Sequence, residues 1–176
     1  MVSFGSGVGN VLYLVVCAAA PARRAPELVM ALQRDGWDVC VVTTPTGRRW
    51  VDPDALALLT GHDVRTNMRG PDDPAFEPFG DALVVAPATF NTVNKLAAGI
   101  NDTLALGLTN EAIGTPDVPV VIVPWAGDPL QAHPAYTQSL ATLHSTGATV
   151  VDVRDRDDTQ AFVHGTRTAL RRPAAR

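Results

Sequence analysis

The sequence predicts one α/β domain with a doubly wound, mostly parallel sheet of about six strands and helices on both faces. Short runs such as 81–86 and 119–123 are apolar throughout, which is typical of strands buried on both faces. Helical patterns separate these runs, and glycines such as Gly36 and Gly61 end two of the helices. Alternating strands and helices favour the Rossmann-like or flavodoxin-like architecture.

Each element follows from the local pattern of residues. The predicted strands are 10–17, 37–43, a short one at 62–65, 81–86, 119–123 and 148–153. The predicted helices are 22–35, 53–60, 91–98, 103–112, 135–144 and 159–170. The first of these helices has an apolar stripe formed by Leu28, Ala31 and Leu32, and Pro26 fits its early turns.

The remaining segments are predicted to be irregular. Residues 67–80 read as a long loop, 87–90 as a turn and 124–134 as a loop. We expect a flexible N-terminus over 1–9, a single domain over 10–170 and a tail over 171–176.

Composition excludes several classes of partner. The chain has 176 residues, a formal net charge of −4 and no basic run, so we expect no nucleic-acid partner. The absence of a long apolar span and of a basic N-terminal region predicts no membrane insertion and a cytoplasmic location. Cys17 and Cys40 lie in apolar runs and are expected to be buried free thiols, without a metal site.

Three loops with unusual chemistry follow predicted strands, at residues 18–21, 44–47 and 87–92. In doubly wound sheets the ligand binds at the carboxyl ends of the strands, so these loops are the expected walls of the site. The third, Pro-Ala-Thr-Phe-Asn-Thr, combines small and polar residues with a helix N-terminus, which attracts anions or carbonyl oxygens. Taken alone, it is better explained as a capped helix.

Residues 87–92 have a second interpretation when they are considered together with the residues that follow them. The segment continues through Lys95 to Gly-Ile-Asn-Asp-Thr at residues 99–103. This pattern resembles the homo-oligomeric flavin-containing cysteine decarboxylases, which include phosphopantothenoylcysteine decarboxylase and the lantibiotic peptide cysteine decarboxylases. Their signature reads Pro-Ala-Ser-Ala-Asn-Thr, followed by a helix with Lys and by Gly-Ile-x-Asp-Asn. The resemblance covers roughly residues 10–155 and includes the first helix and the second strand.

The resemblance implies FMN bound at an interface between subunits of a trimer, or of a multiple of trimers. It implies ring contacts from Thr89 to Thr92, and phosphate or ribityl contacts from Thr44 and Thr46. Ala18, Ala19 and Ala20 replace the family's Gly-Ser-Ile turn, so the serine hydroxyl is missing. The implied cofactor-binding set is Ala18, Ala19, Ala20, Thr44, Thr46, Thr89, Phe90, Asn91, Thr92 and Trp125. Core packing and stacking on a flavin are equally compatible with Trp125.

Two departures from the family affect its chemistry. The catalytic His of the family would fall at or next to Asp73, and no His lies between His62 and His133. The substrate-clamp motif Pro-x-Met-Asn-x-x-Met-Trp is replaced by residues 124–131, with Gly127 in place of the clamp Asn. His133 is the nearest remaining proton carrier and a weak catalytic candidate, although helix capping or a surface position is favoured.

Three functions are compatible with this pattern. The first is an FMN enzyme, lyase or oxidoreductase-like, that modifies a small molecule or a peptide and is not a true cysteine decarboxylase. The second is a non-catalytic flavin-binding regulatory or accessory protein. The third is a domain that has lost flavin and binds another ligand or a protein, which the retention of Thr89, Asn91 and Thr92 disfavours.

Overall fold

A parallel five-stranded sheet forms the centre of the protein in a computed structural model, which describes residues 4–5, 9–73, 78–151 and 159–170. The strands are β1 (Val11–Val16), β2 (Asp38–Thr43), β3 (Ala82–Thr89), β4 (Val120–Trp125) and β5 (Thr149–Val150). They lie in the order β2-β1-β3-β4-β5, and every pairing is parallel. This order is the flavodoxin-like arrangement, so the predicted fold class is confirmed.

Seven helices accompany these strands in the described part of the chain, and the last of them follows β5. They are α1 (Ala25–Arg34), α2 (Pro53–Thr60), α3 (Phe90–Ala97), α4 (Leu104–Gly114), α5 (Asp128–Gln131), α6 (Pro134–Ser145) and α7 (Thr159–Leu170). Short 3₁₀ helices at Ala20–Arg24 and Gly47–Trp50 follow β1 and β2. None of the described helices has both the length and the apolar character needed to span a membrane.

The two faces of the sheet are covered by different helices. Alternate residues of β1, such as Tyr13 and Val15, pack with α3, α4 and α6. The intervening residues, such as Leu12 and Leu14, pack with α1, α2 and α7. Both faces are therefore buried, which explains why the strands are apolar throughout rather than alternating.

Three predictions about local structure are wrong. Residues 62–65 form no strand: Arg65 alone makes an isolated bridge with Val42, so the described sheet has five strands. The turn predicted at 87–90 is absent, because β3 continues past a register irregularity and pairs Thr89 with Trp125. The loop predicted at 124–134 begins as the end of β4 and contains α5.

Parts of several predictions lie outside the described residues. These are residues 1–3 and 6–8 of the predicted flexible start, 74–77 of the long loop, 152–153 of the last strand, and the tail at 171–176. Phe4, which is described, makes an isolated bridge with Gly80 and packs edge-on against Tyr13 with 5.9 Å between ring centroids.

Candidate functional site

A pocket of about 630 Å³ opens at the carboxyl ends of the first four strands. Strand order reverses between β1 and β3, which is the point where doubly wound sheets bind their ligands. All ten residues of the implied cofactor-binding set line this pocket: Ala18, Ala19, Ala20, Thr44, Thr46, Thr89, Phe90, Asn91, Thr92 and Trp125. The structure thus brings the set together, whereas its role in binding a cofactor stays a prediction.

The loop after β1 contributes three alanines to the pocket wall. Ala19 donates its N–H to the Cys17 carbonyl at 2.9 Å, and its carbonyl accepts from Ala22 at 2.8 Å. These bonds fold the chain into the 3₁₀ helix that begins at Ala20. With methyl side chains only, the loop lets a ligand approach the backbone closely.

The loop after β2 is held tightly against the end of β1. Thr44 donates its N–H to the Val16 carbonyl at 3.1 Å, and its hydroxyl accepts from the Gly47 N–H at 3.0 Å. A Cβ at position 47 would lie 2.5 Å from the Val16 oxygen, so only glycine fits there. Thr44 therefore shapes the turn, while Thr46 lies exposed at the pocket.

The junction between β3 and α3 is a helix cap as well as a pocket wall. Thr89 is the N-cap residue, and its hydroxyl oxygen accepts from the Thr92 N–H at 3.4 Å. Thr92 is buried, whereas Asn91 is exposed in the pocket and no described residue hydrogen-bonds to its side-chain amide. Capping thus uses Thr89 and leaves the Asn91 amide available to a ligand.

Charge in the pocket comes from one side chain. Lys95 is the single ionisable residue among the described lining residues, and its ammonium group pairs with Asp102 outside the lining. No described carboxylate faces the cavity. An anionic group such as a phosphate would therefore meet no like charge from these residues.

Aromatic rings form part of the wall. Phe90 stacks on Tyr136 with centroids 5.7 Å apart, and its edge meets the ring of His133 at the same distance. Trp125 lines the pocket and also packs edge-on against Phe162 at 6.2 Å. Trp125 thus takes part in core packing and also forms part of the pocket wall.

His133 lies behind Phe90 and is not among the residues that line the pocket. Its Nδ1 accepts the backbone N–H of Ala135 at 3.1 Å, which caps α6. The sequence favoured this capping role over catalysis, and the weak catalytic assignment stays a prediction.

The two positions that depart from the family pattern, Asp73 and Gly127, differ in their surroundings. Asp73 is bound within its own loop, where its carboxylate accepts from the Gly70 N–H at 2.6 Å, and it does not line the pocket. Gly127 does line the pocket, and a Cβ there would meet no atom within 4 Å. Open space therefore occupies the position of the family's clamp Asn.

Sequence reasoning missed part of the wall. Apart from Trp125, the lining residues outside the three predicted wall loops are Lys95, Thr103, Leu106, Ala126, Gly127 and Leu130, while Pro45 lies in the predicted loop at 44–47. Lys95 and Gly127 had been noted as motif positions, so the motif could have placed them in the site. Thr103 also stands in the motif run at 99–103, whereas Leu106 carries no local signal, because packing of α4 beside α3 brings it to the pocket.

A family model described as "Flavoprotein" matches residues 8–168. Among curated proteins, the coenzyme A biosynthesis bifunctional protein CoaBC of Bacillus subtilis is 31% identical over 144 residues, covering 78% of this chain and 34% of that protein. The chain spans about a third of the length of the curated bifunctional relatives it matches. A probable phosphopantothenoylcysteine decarboxylase of Streptococcus mutans is 27% identical and is matched over 77% of this chain and 78% of its own length.

Solved structures show the same fold. The FMN-dependent cysteine decarboxylase TvaF from thioviridamide biosynthesis superposes with a TM-score of 0.75 at 22% identity, covering 91% of this chain and 97% of that one. At this identity the likeness concerns the fold. The family description and the FMN-dependent neighbours support the FMN prediction made from the sequence.

Proposed function

Because the chain belongs to the Flavoprotein family, as the match over residues 8–168 establishes, we propose that it holds FMN in the pocket at the β1–β3 reversal. We propose further that it is a flavoenzyme that modifies a small molecule or a peptide and is not a true cysteine decarboxylase. The observation that supports flavin binding most directly is the convergence of all ten implied contact residues on one cavity.

The residues of the pocket fit FMN. A volume of about 630 Å³ is within the range of cofactor sites. Phe90, Leu106 and Trp125 offer apolar surface to a flat ring, whereas Thr44, Thr46 and the backbone of the alanine loop offer polar groups to a ribityl phosphate. Bound FMN would supply an acceptor and donor of electrons. The protein would bind the ring, orient it and exclude water from it.

Loss of cysteine decarboxylation is proposed from two positions. The family's catalytic His is replaced at or beside Asp73, whose carboxylate is bound within its own loop. The clamp Asn is replaced by Gly127, which leaves open space in the pocket. A substrate cysteine would therefore lack both its base and the amide that holds it.

One observation favours the second candidate, a non-catalytic flavin-binding regulatory or accessory protein. Among the described residues that line the pocket there is no His, Cys, Asp or Glu that could act as a general acid or base, and Lys95 is the single ionisable side chain. If the protein assembles as a trimer or a multiple of trimers, a neighbouring subunit could supply the missing proton carrier. Sedimentation of the purified protein tests this assembly, and a monomer with bound FMN would contradict it.

Flavin binding is tested by the visible spectrum of the purified protein and by FMN release on denaturation. We expect Asn91→Asp to weaken FMN binding or to shift the flavin spectrum, because it places a negative charge near the partially negative carbonyl oxygens of the ring and in the same pocket as the phosphate. Asn94→Asp is the matched control: Asn94 lies on the same helix, outside the pocket, and its Oδ1 accepts from Ser139 at 2.7 Å. Colourless protein that takes up no added FMN would contradict the proposal.

Catalysis is tested separately with the FMN-loaded protein. Peptides ending in cysteine and phosphopantothenoylcysteine should yield no carbon dioxide, and turnover of either would show that the family's decarboxylation chemistry persists. Anaerobic bleaching of the flavin by candidate small molecules or peptides distinguishes an enzyme from a binding protein. Bleaching by none of them favours the regulatory role.

A further inference from the structure

Cys17 lies directly behind the pocket wall without reaching the cavity. It follows β1, its exposed fraction is 1%, and it is absent from the pocket lining. The wall in front of it contains Thr89 and Thr92, which do line the pocket. The thiol is therefore placed to act on these two hydroxyl groups, and through them on a ligand.

The sulfur accepts a hydrogen bond from one of these threonines. The Thr92 hydroxyl donates to the Cys17 Sγ at 3.4 Å. Burial raises the pKa of the Cys17 thiol, while this hydrogen bond opposes the rise. The thiol is therefore neutral at ordinary pH, and it is a lone pair of its sulfur that faces the Thr92 hydroxyl.

The position of each hydroxyl proton follows from a count of donors. A threonine hydroxyl has one hydrogen and two lone pairs. The Thr92 hydrogen points to the sulfur, so in the 3.0 Å contact between the two hydroxyl oxygens Thr89 is the donor. Both hydroxyl hydrogens are then used inside the protein, and the pocket side carries lone pairs only.

We propose that Cys17 is a positioning residue: it directs the hydroxyl protons of Thr92 and Thr89 away from the cavity and so makes this part of the wall a hydrogen-bond acceptor. The ligand group taken there is a donor, such as a ring N–H of a flavin. The identity of that ligand rests on the proposed function, whereas the direction of the protons rests on the geometry of the wall alone.

Substitutions at position 17 separate positioning from packing. Serine keeps an acceptor, so Cys17→Ser should bind FMN within about twofold of the wild type. Valine fills the space without an acceptor, so Cys17→Val should weaken binding by about fivefold, the effect of one net hydrogen bond. Cys40→Val is the matched control, because Cys40 is also buried but lies outside the pocket lining.

A double-mutant cycle with Thr92→Val gives the decisive comparison. Once the Thr92 hydroxyl is removed, Cys17→Val should cause no further loss of FMN affinity. An equal loss in both backgrounds would mean that the thiol acts by packing and would overturn the proposal. Unchanged affinity of Cys17→Val in the wild-type background would overturn it as well.

The infrared S–H stretching band tests the proton direction without flavin. The Cys17 band is the one that disappears in Cys17→Ser. We expect the S–H stretching frequency of Cys17 to stay unchanged in Thr92→Val. A low frequency in the wild type that increases in Thr92→Val would mean that the Cys17 thiol donates to Thr92, and this result would overturn the proposal. If the full-length protein binds no FMN, the proposed function fails while this measurement still decides the inference.

Discussion

At Gly127 the pocket lacks the side chain of the family's clamp Asn, and the space for that side chain stays open. The Gly127 backbone has φ −67° and ψ 157°, which any residue adopts, and the space around the missing Cβ is open. We expect Gly127→Asn to change the free energy of unfolding by less than about 0.5 kcal/mol, because Asn and Gly both serve as N-caps. FMN binding should persist, and peptides ending in cysteine should still not be decarboxylated, because the base is also missing.

Thermal unfolding and the visible spectrum check this expectation. Gly47→Ala is the contrasting control, because its Cβ would lie 2.5 Å from the Val16 oxygen and force the loop away from β1. That variant should lose about 1–3 kcal/mol of stability, as overpacked sites do. Destabilisation by Gly127→Asn that matches Gly47→Ala would show that the space beside Gly127 is filled in solution.

At the scale of elements, an ion pair attaches the last helix to the first. Arg167 on α7 donates two hydrogen bonds of 2.6 Å to the carboxylate of Asp35, which follows α1 and whose side chain is only 12% exposed. This bidentate geometry is the strong form of the interaction, and it raises the pKa of Arg167. Phe162 of the same helix is buried and meets Trp125 at the pocket wall.

We expect Arg167→Ala to loosen α7 from the domain, because the Asp35 carboxylate would lose a bidentate partner in a mostly buried position. Backbone amides of α7 should exchange with deuterium several-fold faster, while those of β1 and β3 keep their protection. Arg24→Ala is the control: its pair with Glu27 is about half exposed and contributes little. Equal protection of α7 in wild type and Arg167→Ala would show that packing of Phe162 suffices.

For the whole molecule, the buried acids predict a loss of stability at alkaline pH. Burial raises the pKa of Cys40 from 9.0 to about 11 and that of Tyr13 from 10.0 to about 12, and it raises the pKa of the Cys17 thiol as well. Above pH 9 the unfolded chain therefore releases protons that the folded protein keeps. The stability that these groups contribute should be fully present below pH 9 and should fall as pH rises toward 11 for Cys40 and toward 12 for Tyr13.

Urea denaturation at a series of pH values measures this loss. Cys40→Val removes one of the three groups, so its stability should fall less steeply between pH 9 and pH 11 than that of the wild type. Identical slopes for the two proteins would mean that Cys40 ionises as readily in the folded state as in the unfolded chain.

The doubly wound sheet could be predicted because its cause is local in the chain. A strand buried on both faces must be apolar at every position, and a helix must end where Gly36 or Gly61 adopts a positive φ. Helices α2 and α7 were predicted with the bounds they have. The ten predicted pocket residues converge because strand ends of a parallel sheet share one edge, so the segments at the ends of β1, β2, β3 and β4 must meet.

Other features depend on partners that are distant in the chain. Residues 87–89 carry Pro and Thr and resemble a turn, yet pairing with β4 keeps them in β3. Residues 62–65 are compatible with a strand, but only Arg65 finds a partner on β2. The contact of Cys17 with Thr92 joins residues 75 positions apart. Local patterns set which segments are strands and helices, whereas burial and hydrogen bonding across the sheet decide where they end and which hydroxyl groups a ligand meets.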